Sequence, residues 1–160
     1  MKKIFVILAL AAITLTVSAQ DGKWQYQSDL VDGLAVVQDE NDLYGYIDKD
    51  GKLVIPCKWY SAEDFMDGVA RVQNDDFRYG FIDKTGKLVV PCKFRSAYWF
   101  AEGLAPVVDD SFKWGYIDKT GNIVIPCQFK DAGIFEEGVA EVQDANDRRY
   151  KIDKTGKEVK

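Results

Sequence analysis

Hydrophobic and polar positions alternate along this chain in short runs that recur every 35 residues. In Leu34 to Gln38, Ala35 and Val37 share a face, and their places are held later by Ala70/Val72, Ala105/Val107 and Ala140/Val142. A period of two marks a half-buried strand. The position between them varies freely (Val36, Arg71, Pro106, Glu141), which reads as a solvent-facing site. Pro106 has no N–H for a ladder, so its place is expected at an edge or a bulge. The second predicted strand, Tyr44 to Asp48, sets aromatics on either side of Gly45. Glycine weakens a strand unless something approaches its backbone, and a neighbouring ring is the expected cover. Asp48 to Lys52 then turns the chain, with Gly51 supplying positive φ. The third strand, Leu53 to Trp59, is expected to place Leu53, Ile55, Cys57 and Trp59 on one face, with Pro56 capping or bulging it.

The stretch Tyr44 to Cys57 returns as Tyr79 to Cys92 and as Trp114 to Cys127, and a worn copy, Arg149 to Lys160, ends the chain. A polar loop precedes each first strand and carries one apolar anchor: Leu30, Phe65, Phe100 or Phe135. No stretch shows a long 3.6-residue apolar period. The predicted fold is therefore all-β, with four tandem 35-residue repeats, each a three-stranded antiparallel meander, stacked as an open array. A ring-closed, propeller-like arrangement is the alternative, because the exported chain would begin and end at the same phase of the repeat. The polar fourth copy (Arg149, Lys151, Glu158, Lys160) suits the cap of an open array better.

Residues 1–19 stand apart from this pattern. Met1-Lys2-Lys3 is a basic start, Ile4 to Val17 is apolar, and Val17-Ser18-Ala19 offers a small-x-small cleavage site, as a signal peptide does. The expectation is export to periplasm, cell surface or medium as one domain, residues 20–160, with no membrane insertion after cleavage. That product carries 19 basic and 26 acidic residues, a balance of −7 that argues against nucleic acid as a partner. His is absent, which removes the commonest neutral-pH base and metal ligand.

The aromatic-Gly pair, the following Tyr/Phe-Ile-Asp-Lys-x-Gly-x-x-Val-x-Pro, and the later Asp/Glu-Gly-Leu/Val-Ala together resemble the WG-repeat proteins of bacteria. Trp114-Gly115 has the literal pair, Tyr44-Gly45 and Tyr79-Gly80 are aromatic variants, and Arg149-Tyr150 departs from it. The resemblance covers almost all of the chain after residue 19. It implies a β-rich repeat module, often exported, with no catalytic residues to carry over.

Candidate chemistry is sparse. Cys57, Cys92 and Cys127 occupy one repeat position and read as unpaired small hydrophobes, since equivalent positions in stacked meanders lie too far apart for a disulfide. The Asp-Lys-x-Gly turns lack the ligand pattern of a calcium loop. Asp75-Asp76 and Asp109-Asp110 are neighbours in hairpin loops, not carboxylates opposed across a cleft. The reading is of a non-enzymatic protein with no cofactor and no metal. What remains is a set of aromatics that break the repeat: Tyr26, Tyr60, Tyr98 and Trp99, all in the inter-unit loops, with Phe77 and Phe112 as a matched pair before the middle strand. Loop aromatics give large rigid contact area at low entropic cost. The expected function is interaction with a protein or surface partner. The alternative is binding of a cell-envelope or dietary glycan, with Tyr60, Tyr98 and Trp99 stacking on its sugar rings.

Overall fold

A computed structural model describes residues 23–159. The expected signal segment, 1–19, lies outside the described residues. The rest is built from strands and turns alone, in four antiparallel sheets of four strands. The first comprises β1 (Tyr26–Gln27), β2 (Leu34–Gln38), β3 (Tyr44–Asp48) and β4 (Leu53–Trp59). The second comprises β5 (Ser61–Ala62), β6 (Val69–Gln73), β7 (Tyr79–Asp83) and β8 (Leu88–Phe94). The third holds β9 (Ser96–Ala97), β10 (Leu104–Val108), β11 (Trp114–Asp118) and β12 (Ile123–Phe129). The fourth holds β13 (Asp131–Ala132), β14 (Val139–Gln143), β15 (Arg149–Asp153) and β16 (Glu158–Val159). Strands within each sheet follow chain order, so each sheet is a meander.

The three strands read from the pattern are all present in the first three units with the expected bounds. To them the structure adds a two-residue edge strand drawn from the inter-unit loop, as where Ser61 and Ala62 pair with Gln73 and Val72. Each 35-residue sequence repeat therefore straddles two sheets: it supplies the last two strands of one and the first two of the next.

Each sheet presents a face to the next. Val36, Tyr46, Ile55 and Trp59 of the first pack against Phe65, Ala70, Val72 and Ile82 of the second. Equivalent clusters join the second sheet to the third and the third to the fourth. The anchors Phe65, Phe100 and Phe135 are buried, with rings 4.7–5.0 Å from those of Tyr46, Phe81 and Tyr116 on the preceding sheet. Leu30, the first-unit counterpart, is exposed.

Two expectations are corrected at the third strand. Between the pairs Tyr44↔Trp59 and Tyr46↔Ile55, β4 spends four residues where β3 spends two, a bulge around the proline. The bulge turns Cys57 away from Ile55 and Trp59: it packs with Ala35, Val37 and Ile47 on the opposite face. The four side chains therefore do not share a face. The bulge also explains the glycine of the repeat motif. A Cβ on Gly45 would lie 2.6 Å from the Ile55 carbonyl oxygen, 2.8 Å from the Cys57 nitrogen and 2.8 Å from its Sγ. Folded-back backbone, not an aromatic ring, covers this glycine. In the fourth unit β16 pairs with β15 only at Lys151 and Ile152, and there Tyr150 takes the glycine's place.

The position occupied by Val36, Arg71, Pro106 and Glu141 is also corrected in three units. Val36 and Pro106 are buried, and the Arg71 side chain is only 17% exposed. These residues face the neighbouring sheet, whereas among the described residues no further sheet covers Glu141, which is exposed. Pro106 is tolerated because β9 ends opposite Val107, leaving only the single bond from Tyr98 N–H to the Pro106 carbonyl, 2.9 Å. No core cluster joins the first sheet to the fourth among the described residues, and their outer faces differ in kind. The first carries Ala35, Val37 and Ile47; the fourth carries Glu141 and Lys151. The four sheets form an open array.

Candidate functional site

The variable position facing the next sheet differs at each interface, and at the first two it lines the inter-sheet groove. Between the first and second sheets it is Val36, a short side chain. A groove of about 340 Å³ remains there, lined by Tyr26, Val36, Ala62, Glu63, Asp64 and Met66. Between the second and third it is Arg71, whose guanidinium donates to the Ala97 carbonyl and to Glu63 and lies 5.1 Å from the Tyr79 ring centre. Only about 10 Å³ is left in that groove. Between the third and fourth it is Pro106, which cannot reach across. An open groove of about 390 Å³ lies at the edge of this interface, and Pro106 does not line it.

The third groove brings together two of the four sequence candidates. Tyr98 and Trp99 line one side and Asp131 to Ile134 the other, and the groove continues over the edge strand β13 to Glu141 and Arg149 on the outer face of the fourth sheet. Tyr98 is 38% exposed and Trp99 41%. Tyr98 lies flat on Trp114, with ring centres 5.1 Å apart and planes 11° apart, and meets Trp99 edge-on at 5.8 Å. These offset and edge geometries are the ones the ring quadrupoles favour. The hydroxyl of Tyr116 donates to the Gly133 carbonyl at 2.8 Å and ties the sheets together beneath the groove. Burial pushes the Tyr116 phenol up, beyond any ordinary titration.

The polar rim is held by Arg149, which donates to Glu141 at 3.1 Å and to Asp131 at 3.4 Å. Its guanidinium pKa is raised, first by the bond to Glu141 and, against an opposing desolvation, by the charges of Asp131 and Glu141. Sequence reasoning passed over this trio. The signal was present, however, since Arg149 stands where the other units carry Tyr44, Tyr79 and Trp114.

The remaining two candidates lie elsewhere. Tyr26 lines the first groove, half exposed, in a place held by Ser61, Ser96 and Asp131 in later units. Tyr60, 50% exposed, rests edge-on against Phe77 at 4.6 Å. Phe77 and Phe112 occupy left-handed turn positions (φ 57° and 59°) that Asp42 and Asp147 fill in the outer units. A bulky residue is uncommon there. Each is met by the residue that precedes the next short edge strand or its equivalent: Tyr60 covers Phe77, and Arg95 lies 4.3 Å from the Phe112 ring centre. In the fourth unit the same pair of places is a salt bridge, Lys130–Asp147, 2.9 Å.

The cysteines are free and half-buried. Burial, and then the nearby Asp109 carboxylate, pushes the Cys127 thiol up to about 11. Burial likewise raises Cys57 and Cys92. All three are poor nucleophiles near neutral pH, because the thiolate is the reactive form. Among the described residues no group of three or more Cys, Asp or Glu is placed to hold a metal ion, and no helix is long and apolar enough to cross a membrane.

Comparison with known proteins bears on the fold. No curated protein matches this chain. The computationally designed protein Ika8 is similar at 10% identity with a TM-score of 0.52; the alignment covers 82% of this chain and 46% of that one, so this chain spans about half its length. Looser likenesses are the designed protein Ika4 (TM-score 0.49, 7% identity, 85% and 94% covered) and the WD40 beta propeller domain of Doa1 (TM-score 0.43, 11%, 80% and 50%). The family described as "WG containing repeat" matches three consecutive stretches, residues 44–76, 79–111 and 114–146. Those bounds begin at β3, β7 and β11, the strands whose glycine the bulge demands. With most of its length matched in registered copies, the chain belongs to the WG-containing-repeat family.

Proposed function

We propose that this protein is a non-enzymatic interaction module that works after export and meets its partner at the groove between the third and fourth sheets. One observation carries this reading. Tyr98 and Trp99 are large aromatics in places held by small or polar residues, or by Ile134, in the other units. They stand half-exposed at an open groove instead of filling the core. Residues shared by the units build the interfaces, so side chains that break the repeat are free to be selected for contact. Rigid aromatic anchors ringed by polar groups are the usual centres of binding surfaces.

The test is recovery of a partner from the cell envelope on the immobilised protein, compared with the Tyr98→Ala/Trp99→Ala double variant. The variant is expected to recover less. Both rings are partly solvated, so the fold is expected to persist, with a cost of about 1–2 kcal/mol from the lost Trp114 stack. Equal recovery by a folded double variant would remove these rings from the site.

A further inference from the structure

We infer that the ligand class of this groove is an uncharged saccharide, with a sugar ring lying on Trp99 and its hydroxyls shared among Asp131, Glu141 and Arg149. The inference rests on the reading of the groove as a contact site and names what it takes. A pyranose has an apolar C–H face and a rim of hydroxyls, each of which both donates and accepts. The groove offers an aromatic side and, over its edge strand, a polar rim.

Trp99 presents an indole face that is held in place: it meets Tyr98 edge-on at 5.8 Å, and Tyr98 is itself stacked on Trp114. Across the edge strand β13 from it, Arg149 is fixed between Glu141 and Asp131 at 3.1 and 3.4 Å, so donors and acceptors are grouped at that rim of the groove. Charge separates this ligand from its rivals. An anionic chain would meet two carboxylates against one guanidinium, and that guanidinium is already paired to both, whereas a neutral polyol is not repelled and can use the remaining donors and acceptors. The volume, about 390 Å³, lies within the range of small-molecule sites. The combination occurs at one interface only. At the first groove the places of Tyr98 and Trp99 on the preceding sheet belong to Ser28 and Asp29, and Tyr79 stands where Arg149 does. At the middle interface Arg71 fills the space.

The experiment is titration of the purified protein with cellohexaose, chitohexaose and mannohexaose as neutral probes, and with an oligogalacturonate and tetralysine as charged ones. Tryptophan fluorescence and calorimetry are read together. At least one neutral oligosaccharide is expected to saturate the signal. Trp99→Ala should weaken that binding about tenfold, the scale of one lost aromatic stack. Trp99→Phe should restore part of it, and Arg149→Gln, checked for folding, should weaken it as well. Saturation by none of the neutral probes overturns the inference, as does a preference for either charged probe or unchanged affinity in Trp99→Ala. If sugars fail while the Tyr98→Ala/Trp99→Ala variant still loses envelope material, the saccharide assignment falls and the interaction module stands. If that capture too is unaffected, both fall.

Discussion

Gly80→Ala is the sharpest test of how these sheets are built. In the second sheet a Cβ at this position would lie 2.6 Å from the Val90 carbonyl oxygen, and 2.8 Å from both the Cys92 nitrogen and its Sγ. Two of these three atoms are backbone in the bulged strand β8, which cannot yield without disturbing its pairing with β7. Overpacking costs about 1–3 kcal/mol, and a clash with backbone belongs in the upper half of that range. Replacing glycine in a strand otherwise returns about 0.5–1 kcal/mol of chain entropy. The net loss is therefore about 1–2.5 kcal/mol, or a melting point lower by about 3–10 °C for a domain of this size. Gly133→Ala is the control, because its Cβ would meet only the Glu141 carbonyl oxygen at 3.5 Å, an ordinary contact. That variant should hold or gain up to about 1 kcal/mol. Urea and thermal melts by far-UV circular dichroism read both. If the two variants melt within a degree or so of each other, the bulge does not press on Gly80 and the explanation of the family glycine is wrong.

Arg71→Ala should open the middle groove toward the volume of its neighbours, seen in a crystal structure of the variant, and should cost about 1–3 kcal/mol for the lost charge-assisted bonds; a groove that stays filled refutes the plug. Cys127 should react slowly with Ellman's reagent near neutral pH in the folded protein and quickly once unfolded in urea, and equal rates would refute its protected thiol. Because the folded pKa is raised, to about 11 from an ordinary 9.0, the unfolded chain loses this proton first; stability should be unaffected by the group below pH 9 and should fall between about 9 and 11. A melting series that rises across that window would contradict the assignment. Lys119→Met, which breaks the 2.5 Å pair with Asp67 between the second and third sheets, should cost under about 1 kcal/mol, since both side chains are solvated. A larger loss would mean that ion pairs, not packed faces, hold the array.

The repeat, its length and the three main strands were legible because each rests on local periodicity copied several times. The two-residue edge strands were not. Ser61 and Ala62 are too few to show a period and become a strand only by pairing with Gln73 and Val72. The bulge escaped for a related reason: it is a mismatch in count between two strands, and neither strand alone records it. Variation at Val36, Arg71 and Pro106 read as exposure, yet an interface can vary from unit to unit when each groove is filled on its own terms. At the candidate site, breaks in the repeat pointed to Tyr98 and Trp99 but not to the charged rim beside them. Arg149, Glu141 and Asp131 are charged residues in a polar terminal unit, and a chain read in order treats them as cap. Only the pairing of β13, β14 and β15 brings the three together.

The half-sheet offset between sequence unit and folded unit has a consequence for how such a protein can change length. An in-frame duplication of one repeat inserts the closing half of one sheet and the opening half of another. Both find their complements at once, and the seam needs no new loop. Each such event would also introduce one more cleft, with its own residue at the place of Val36, Arg71 or Pro106 to seal it or leave it vacant. The number of clefts and the number left open can then drift apart by single substitutions, without any rebuilding of the scaffold.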